Sequence, residues 1–312
     1  MPMTNAALEQ NLRGVLLPIT TPFASDSVDD AALRSNIDRW SNTGVTGFVI
    51  LGSTGERVHL DEREYLAVIE TCRAVVPRSM AFIVGAGQQS TSGTIKEIAK
   101  AAAVGADAVL VITPNYYRSA ITQDTLISYY KAVADAAPVP VLLYSMPALT
   151  GIKIEPETVA QLTEHPNIIG VKDSSNDVAG LEKTVNQCPD EFAVMTGNGT
   201  VLLDALDAGA TGAILAVGCV VPELCVEIFR SFNAGEVERA RALQNKLTPL
   251  AAAVTTRFGI GGLKAALDLA GYSGGEVRAP LQPPDENART EIAELLESTK
   301  NILTQRRKDA KV

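Results

Sequence analysis

In the stretch NIIGVKDSSND, residues 167–177, one lysine, Lys172, stands directly behind an apolar run and ahead of an Asp-Ser-Ser cluster. An amine at the end of a buried strand loses hydration, which favours its neutral form, and a neutral amine can attack a carbonyl to give a Schiff base. The same lysine could pair with Asp173 or snorkel to a rim, and position alone leaves these readings open. Another apolar run, VPVLLYS at 139–145, carries Tyr144 near its end. A phenol there can give and take a proton if a cation and hydroxyl partners lower its pKa, or it can simply cap a core with its hydroxyl wet. Farther upstream, GSTGE at 52–56 gathers the Ser53 and Thr54 hydroxyls with backbone N–H groups in a turn. Such a turn is a nest for a carboxylate or an ordinary strand-to-helix connection.

These residues need a scaffold that brings strand ends together. Short β-branched runs alternate with amphipathic stretches of helical length, the pattern of parallel strands joined by crossover helices. Eight such strands are expected, at 14–20, 47–52, 81–87, 108–113, 139–145, 168–173, 192–197 and 212–217. Between the first two, VDDAALRSNIDRWSNTG places Ala32, Leu33, Ile37 and Trp40 at helical spacing and Gly44 as a stop. Eight β/α units in this length predict an α/β fold of the (β/α)8 TIM-barrel type rather than an open doubly wound sheet. Three further helical segments, near 220–257, 259–270 and 287–305, exceed what eight units need. Residues 1–220 are therefore expected to form the barrel carrying the active site, and 221–312 a C-terminal helical extension packed on it. The connector GYSGGEVRAPLQPP is rich in turn residues, and the basic tail QRRKDAKV reads as a solvated end.

In such a barrel the chemistry gathers at the C-terminal ends of the strands. Here those ends read GSTGE, TPNYYR, YSMPALTG, KDSS and TGNGT, after the second, fourth, fifth, sixth and seventh strands. A glycine-rich loop such as TGNGT can cradle phosphate, but AVGCVVPE after the eighth strand supplies no matching loop. Contact with the far end of an organic substrate is the preferred reading. His59 and His165 lie off the strand ends and read as structural or exposed.

Composition narrows the partners. With 312 residues, 46% of them hydrophobic, the chain can bury a sizeable core. A formal charge of −9 opposes a nucleic-acid role, because phosphate backbones need a basic surface, and points to a small-molecule partner. The four cysteines, Cys72, Cys188, Cys219 and Cys225, show no metal-ligand spacing and stand apart from both histidines. Neither a zinc site nor a disulfide framework is expected. The opening MPMTNAALEQNLRG has no basic segment followed by an apolar one, and no run of about 18 apolar residues follows, so a soluble cytoplasmic protein without membrane contact is expected.

GSTGE, TPNYYR, YSMPALTG and GVKDSS, in this order and spacing, resemble the pyruvate-dependent class I aldolases of the dihydrodipicolinate synthase and N-acetylneuraminate lyase superfamily. The resemblance runs over nearly the whole chain, from GVLLPITTPF to RAPL. Within that superfamily, YSMPALTG and AAAVTTRFGIGGLKAALDLAGYSGGEVRAPL most resemble 4-hydroxy-2-oxoglutarate aldolase. The resemblance implies a homotetramer, a small 2-oxo acid such as pyruvate as partner, and no metal or organic cofactor. It implies that Lys172 forms the Schiff base, Tyr144 shuttles the proton, and Ser53 and Thr54 hold the pyruvyl carboxylate and relay protons. Tyr116 would reach a neighbouring subunit's active site, and Gly197, Asn198 and Ile214 would line the substrate pocket.

The reaction expected from the resemblance is cleavage of a 4-hydroxy-2-oxo acid to pyruvate and an aldehyde. The alternatives are 4-hydroxy-tetrahydrodipicolinate synthase, which condenses pyruvate with aspartate semialdehyde, and a 2-keto-3-deoxy sugar acid aldolase. Leu149 stands where the synthase motif carries an arginine that clamps the semialdehyde carboxylate, which disfavours the synthase unless Arg118 or another cation reaches the pocket. Ser53 replaces that motif's first threonine and keeps the hydroxyl. A phosphate-binding barrel enzyme and a non-catalytic ligand-binding barrel are the remaining classes, and the second would be marked by loss of Lys172 or Tyr144.

Overall fold

The computed structural model describes the backbone of residues 3–309 and the side chains up to Lys300. The side chains of the basic tail from Gln305 onward lie outside the described residues. Of the ten strands among the described residues, β1 (Val15–Pro18) is followed by a small hairpin, β2 (Phe23–Ala24) and β3 (Ser27–Val28). Then come β4 (Gly47–Ile50), β5 (Ala81–Ala86), β6 (Ala108–Ile112), β7 (Val141–Ser145), β8 (Ile168–Asp173), β9 (Ala193–Thr196) and β10 (Gly212–Ile214). All but the hairpin strands close into one parallel barrel in the order β1-β10-β9-β8-β7-β6-β5-β4.

Successive strand residues face opposite ways, and the sequence satisfies both faces with apolar side chains. Phe48, Ile50, Phe82 and Val84 pack outward against the helices. Val49, Ile83, Leu110, Leu142, Met195 and Ile214 fill the interior. This double burial is why the strands read as continuous apolar runs rather than as alternating patterns.

The helices are α1 (Asn5–Leu12), α2 (Asp30–Trp40), α3 (Glu62–Val75), α4 (Thr91–Val104), α5 (Gln123–Ala136), α6 (Pro147–Thr150), α7 (Pro156–Leu162), α8 (Val178–Gln187) and α9 (Leu202–Asp207). After the barrel follow α10 (Pro222–Asn233), α11 (Val237–Ala252), α12 (Gly259–Ala270) and α13 (Glu286–Asp309). Side-chain caps start several of them: Asp29 before α2, Ser90 before α4, Asp177 before α8, and a reciprocal Asp61–Glu64 capping box before α3.

The eight barrel strands lie where the sequence pattern places them; β8 matches at both ends and the other seven are trimmed at one or both ends. Four local features differ. The helix before Gly44 ends at Trp40, and Gly44, at φ +89°, closes the turn that follows. The segment expected at 220–257 is broken between α10 and α11, where Gly235 takes φ +78°, and ends in a π turn at Ala253–Arg257. The β2–β3 hairpin turns through Ser25 and Asp26, both at positive φ, so it lacks the glycine that normally announces such a turn. Helix α1 is the fourth: its Leu8 and Leu12 join the interior cluster. The Asn11 side-chain amide donates to the Ser79 carbonyl ahead of β5, and the Asn11 carbonyl accepts from the Thr46 hydroxyl ahead of β4. Helix α1 therefore stoppers the barrel at the end where the strands begin.

Candidate active site

The opposite end is built from strand termini. Tyr144 on β7 and Lys172 on β8 are directly paired in register, so both point inward at the same level. Both are 4% exposed, and the Lys172 ammonium nitrogen lies 4.4 Å from the centroid of the Tyr144 ring. Asp173, the next residue, faces the other way, and its carboxylate accepts the Ser175 N–H (2.6 Å). Neither the lysine–aspartate pair nor the lysine extended to the rim is what the structure contains.

Tyr144 has polar company at its hydroxyl, which lies 3.5 Å from Ser53 Oγ. Burial alone would raise this phenol. The positive charge of Lys172, with the neighbouring Ser53 and Ser174 hydroxyls, outweighs burial and holds its pKa below the ordinary value of 10.0. Gly197, just past β9, keeps this cluster together by having no side chain. A Cβ there would overlap the Ser174 hydroxyl and sit 2.7 Å from Lys172 Cε.

The turn carrying Ser53 follows β4 as a single 3-10 turn, Ser53–Gly55, with Gly52 before it and Thr54 8% exposed. The Thr21 hydroxyl donates to the Gly55 carbonyl (2.8 Å) and ties the turn to the loop after β1. Glu56 ends the turn in the left-handed region at φ +53°, its carboxylate buried against Lys264 of α12 at 2.5 Å. A cavity of about 1050 Å³ opens over Tyr144, with Ser53, Thr113, Leu149 and Thr150 in its wall.

The other expected site residues divide. Ile214 is fully buried in the interior cluster that also contains Tyr144 and Met195. Asn198 turns back on its own loop, accepting from the Thr200 N–H (2.9 Å) and hydroxyl (2.8 Å) and donating to Asn176. Tyr116 is 77% exposed, edge-on to Tyr117, with its backbone N–H bonded to Gln89 (2.9 Å); within one chain it is not gathered to Tyr144. Leu149 is 60% exposed. Arg118 lies near the end of α6: a Cβ on Gly151, directly after it, would fall 2.7 Å from the Arg118 Nη1, and Arg118 forms no ion pair among the described residues.

His59 faces Glu56 (3.1 Å) and His165 faces Asp135 (3.1 Å), both away from Lys172. All four cysteines are free, and burial pushes the Cys188 thiol up to about 11 and the Cys225 thiol up to about 12. Among the described residues no three His, Cys, Asp or Glu side chains converge as metal ligands, and no helix is long and apolar enough to cross a membrane. Sequence reasoning did not single out Ser174, although it stands two residues after Lys172. It also missed Thr21, Glu56 and Lys264, whose meeting crosses more than 240 positions of chain.

Comparison with known proteins fits this geometry. The sequence profile of the dihydrodipicolinate synthetase family matches residues 11–299. The 4-hydroxy-tetrahydrodipicolinate synthase of Thermodesulfovibrio yellowstonii is 35% identical over 286 residues, covering 92% of this chain and 98% of the relative. Among solved structures, the 4-hydroxy-tetrahydrodipicolinate synthase of Methylacidiphilum fumariolicum SolV superposes with a TM-score of 0.88 at 28% identity, over 94% of this chain and 97% of that one. YagE of E. coli K12, a prophage protein of the same family solved with pyruvate, gives 0.86 at 31% identity over 92% and 98%. With its barrel matched along nearly its whole length, the chain belongs to the dihydrodipicolinate synthetase family and is a pyruvate-dependent class I aldolase.

Proposed function

We propose that this aldolase cleaves a 4-hydroxy-2-oxo acid, with 4-hydroxy-2-oxoglutarate as the leading substrate, to pyruvate and an aldehyde. The Lys172 amine attacks the C2 carbonyl, and loss of water gives a protonated imine. Tyr144 as phenolate takes the proton of the 4-hydroxyl. The electrons of the C3–C4 bond flow toward the imine, releasing the aldehyde and leaving an enamine. Protonation at C3 and hydrolysis then return pyruvate and the free lysine. Ser53 and Thr54 seat the substrate's 1-carboxylate, and Ser53 stands against the Tyr144 hydroxyl. Gly197, Asn198 and Ile214 shape the pocket. The observation that carries the reaction type is the buried contact between Lys172 and Tyr144, with the phenol held below its ordinary pKa.

The choice of substrate rests on residue 149. Leu149 has no donor where the synthase motif supplies an arginine, and a charge-assisted contact of that kind contributes about 1.5–3 kcal/mol. Arg118, without an ion pair among the described residues, lies near Gly151 at the end of α6 and is a candidate partner for a substrate's distal carboxylate under either reading, so it does not decide between them. The synthase is the second reading, favoured by the names of the relatives at 34–36% identity. A homotetramer in which the exposed Tyr116 reaches a second copy's site accompanies either reading.

The test compares kcat/KM for pyruvate release from 4-hydroxy-2-oxoglutarate with that for condensation of pyruvate and aspartate semialdehyde. Faster cleavage is expected, with Leu149→Arg narrowing the gap. A native preference for the semialdehyde replaces this reading with the synthase. Borohydride added with pyruvate should leave a reduced adduct on Lys172, and an unmodified Lys172 in protein that stays active overturns the Schiff-base assignment.

A further inference from the structure

Lys264 is a buried charge remote in sequence from every residue given a chemical role above. It sits on α12, 1% exposed; its ammonium forms an ion pair with Glu56 Oε1 (2.5 Å) and donates to the Thr21 carbonyl (2.8 Å) and the Glu276 carbonyl (2.5 Å). The ammonium also lies 4.4 Å from the Phe23 ring centroid, with the Arg278 guanidinium 4.3 Å from the same ring. Glu56 is equally enclosed, its second oxygen accepting from the Arg278 N–H (3.2 Å) and facing His59 Nδ1 (3.1 Å).

Two arms run from Lys264 to the Ser53–Gly55 turn. One is direct, through Glu56, which terminates the turn in a left-handed conformation that a non-glycine residue adopts at a cost. The other passes through Thr21, whose carbonyl accepts from Lys264 while its hydroxyl grips the Gly55 carbonyl. At the far end of the same turn, Ser53 meets the Tyr144 hydroxyl. The loop after α12 is fitted closely to this place. Gly275, at φ +72°, leaves no room for a Cβ, which would stand 2.8 Å from the Phe23 nitrogen.

A buried ion pair is a poor device for stability alone, because desolvation of both charges offsets their attraction and apolar replacements are often neutral. Its distinctive property is direction. We infer that Lys264 and Glu56 are positioning residues: together they set the Ser53–Gly55 turn against Tyr144, so the C-terminal segment completes the seat of the substrate carboxylate. The inference rests on the proposed role of Ser53 and Thr54, and its test has one arm independent of any substrate.

That test uses the full-length double variant Glu56→Gln/Lys264→Met, which removes both charges at nearly constant volume. The substrate-free arm follows ionisation of the Tyr144 phenol by ultraviolet absorbance, isolated as the difference from the same protein carrying Tyr144→Phe. The second arm measures the pyruvate concentration giving half-maximal borohydride trapping. The expected result is a cooperatively folded protein whose Tyr144 phenol ionises at higher pH than in wild type, because the Ser53 hydroxyl has moved off. Half-saturation by pyruvate rises tenfold or more. A folded double variant with wild-type phenol ionisation and wild-type half-saturation overturns the inference and leaves the pair a purely structural one. If the double variant does not fold, Lys264→Arg keeps the charge and displaces the turn, and the same two readings decide in the same way. Should wild-type protein form no pyruvate adduct at all, the substrate assignment falls, and the phenol titration still decides the positioning role.

Discussion

Replacing Gly197 by alanine tests the packing of the site with a single methyl group. The glycine backbone lies outside the left-handed region, so alanine meets no conformational penalty there. Its Cβ would instead overlap the Ser174 hydroxyl, its nearest neighbour, and stand 2.7 Å from Lys172 Cε and 3.0 Å from Ser174 Cβ, so both the Ser174 and Lys172 side chains must yield. Non-bonded carbons settle about 3.5–4.0 Å apart, so the end of the lysine must retreat by about 1 Å. A displacement of about 1 Å at a reacting group costs about 10²-fold in rate, or about 2.7 kcal/mol at 1.36 kcal/mol per decade. The atoms that must yield are side-chain ends rather than backbone, which keeps the folding cost toward the low end of the about 1–3 kcal/mol typical of overpacking. Gly197→Ala should therefore melt within a few degrees of wild type and trap pyruvate with borohydride about a hundredfold more slowly. Single-turnover trapping beside a calorimetric melt makes the measurement. Trapping at the wild-type rate, or a rate loss that merely follows loss of folded protein, would refute the reasoning.

Three further outcomes follow from the same geometry. Tyr144→Phe should still form the trapped imine yet turn over about 10² to 10⁴ times more slowly, the range for a lost acid–base group; near-wild-type turnover would return Tyr144 to a packing role. If Tyr144 takes a proton during cleavage as proposed, wild-type kcat should rise with pH through a limb lying below the ordinary phenol value of 10.0, as the phenolate becomes populated. That limb should vanish in Tyr144→Phe, and a limb at or above the ordinary value speaks against the assignment. Arg118→Met should lower kcat/KM for 4-hydroxy-2-oxoglutarate by about 10- to 150-fold, the equivalent of a charged hydrogen bond of about 1.5–3 kcal/mol. A 4-hydroxy-2-oxo acid without the distal carboxylate should be spared, and equal losses on both substrates would count against a specific contact.

What the sequence disclosed divides by distance along the chain. The barrel was legible because each strand buries both faces and each crossover helix keeps its own 3.6-residue period, signals contained within about twenty positions. That Lys172 and Tyr144 would meet at paired strand ends was legible because a strand end in such a barrel is a location as well as a residue. The β2–β3 hairpin was not, since Ser25 and Asp26 hold positive φ without glycine. The turn conformation of Glu56 was hidden for another reason. Its partner Lys264 lies on a helix that reads locally as one more amphipathic segment, and only the closed structure joins them. Asn198 and Tyr116 show the limit in the other direction, for residue type fits the expected role while one chain's own packing turns Asn198 to its loop and leaves Tyr116 exposed.

The plug formed by α1 has a kinetic consequence. With Leu8 and Leu12 closing one end of the barrel, a substrate bound to Lys172 on the proposed reaction would have to come and go by the end where the cavity opens over Tyr144. A three-carbon fragment tethered to the lysine would sit at the blind end, and the aldehyde cut from it would lie nearer the exit. Departure then has an order: aldehyde first, pyruvate second, and in reverse pyruvate must enter before its partner. Product inhibition should carry that asymmetry, with pyruvate competing against the oxo-acid substrate for the free enzyme and the aldehyde acting on the form already loaded with pyruvate.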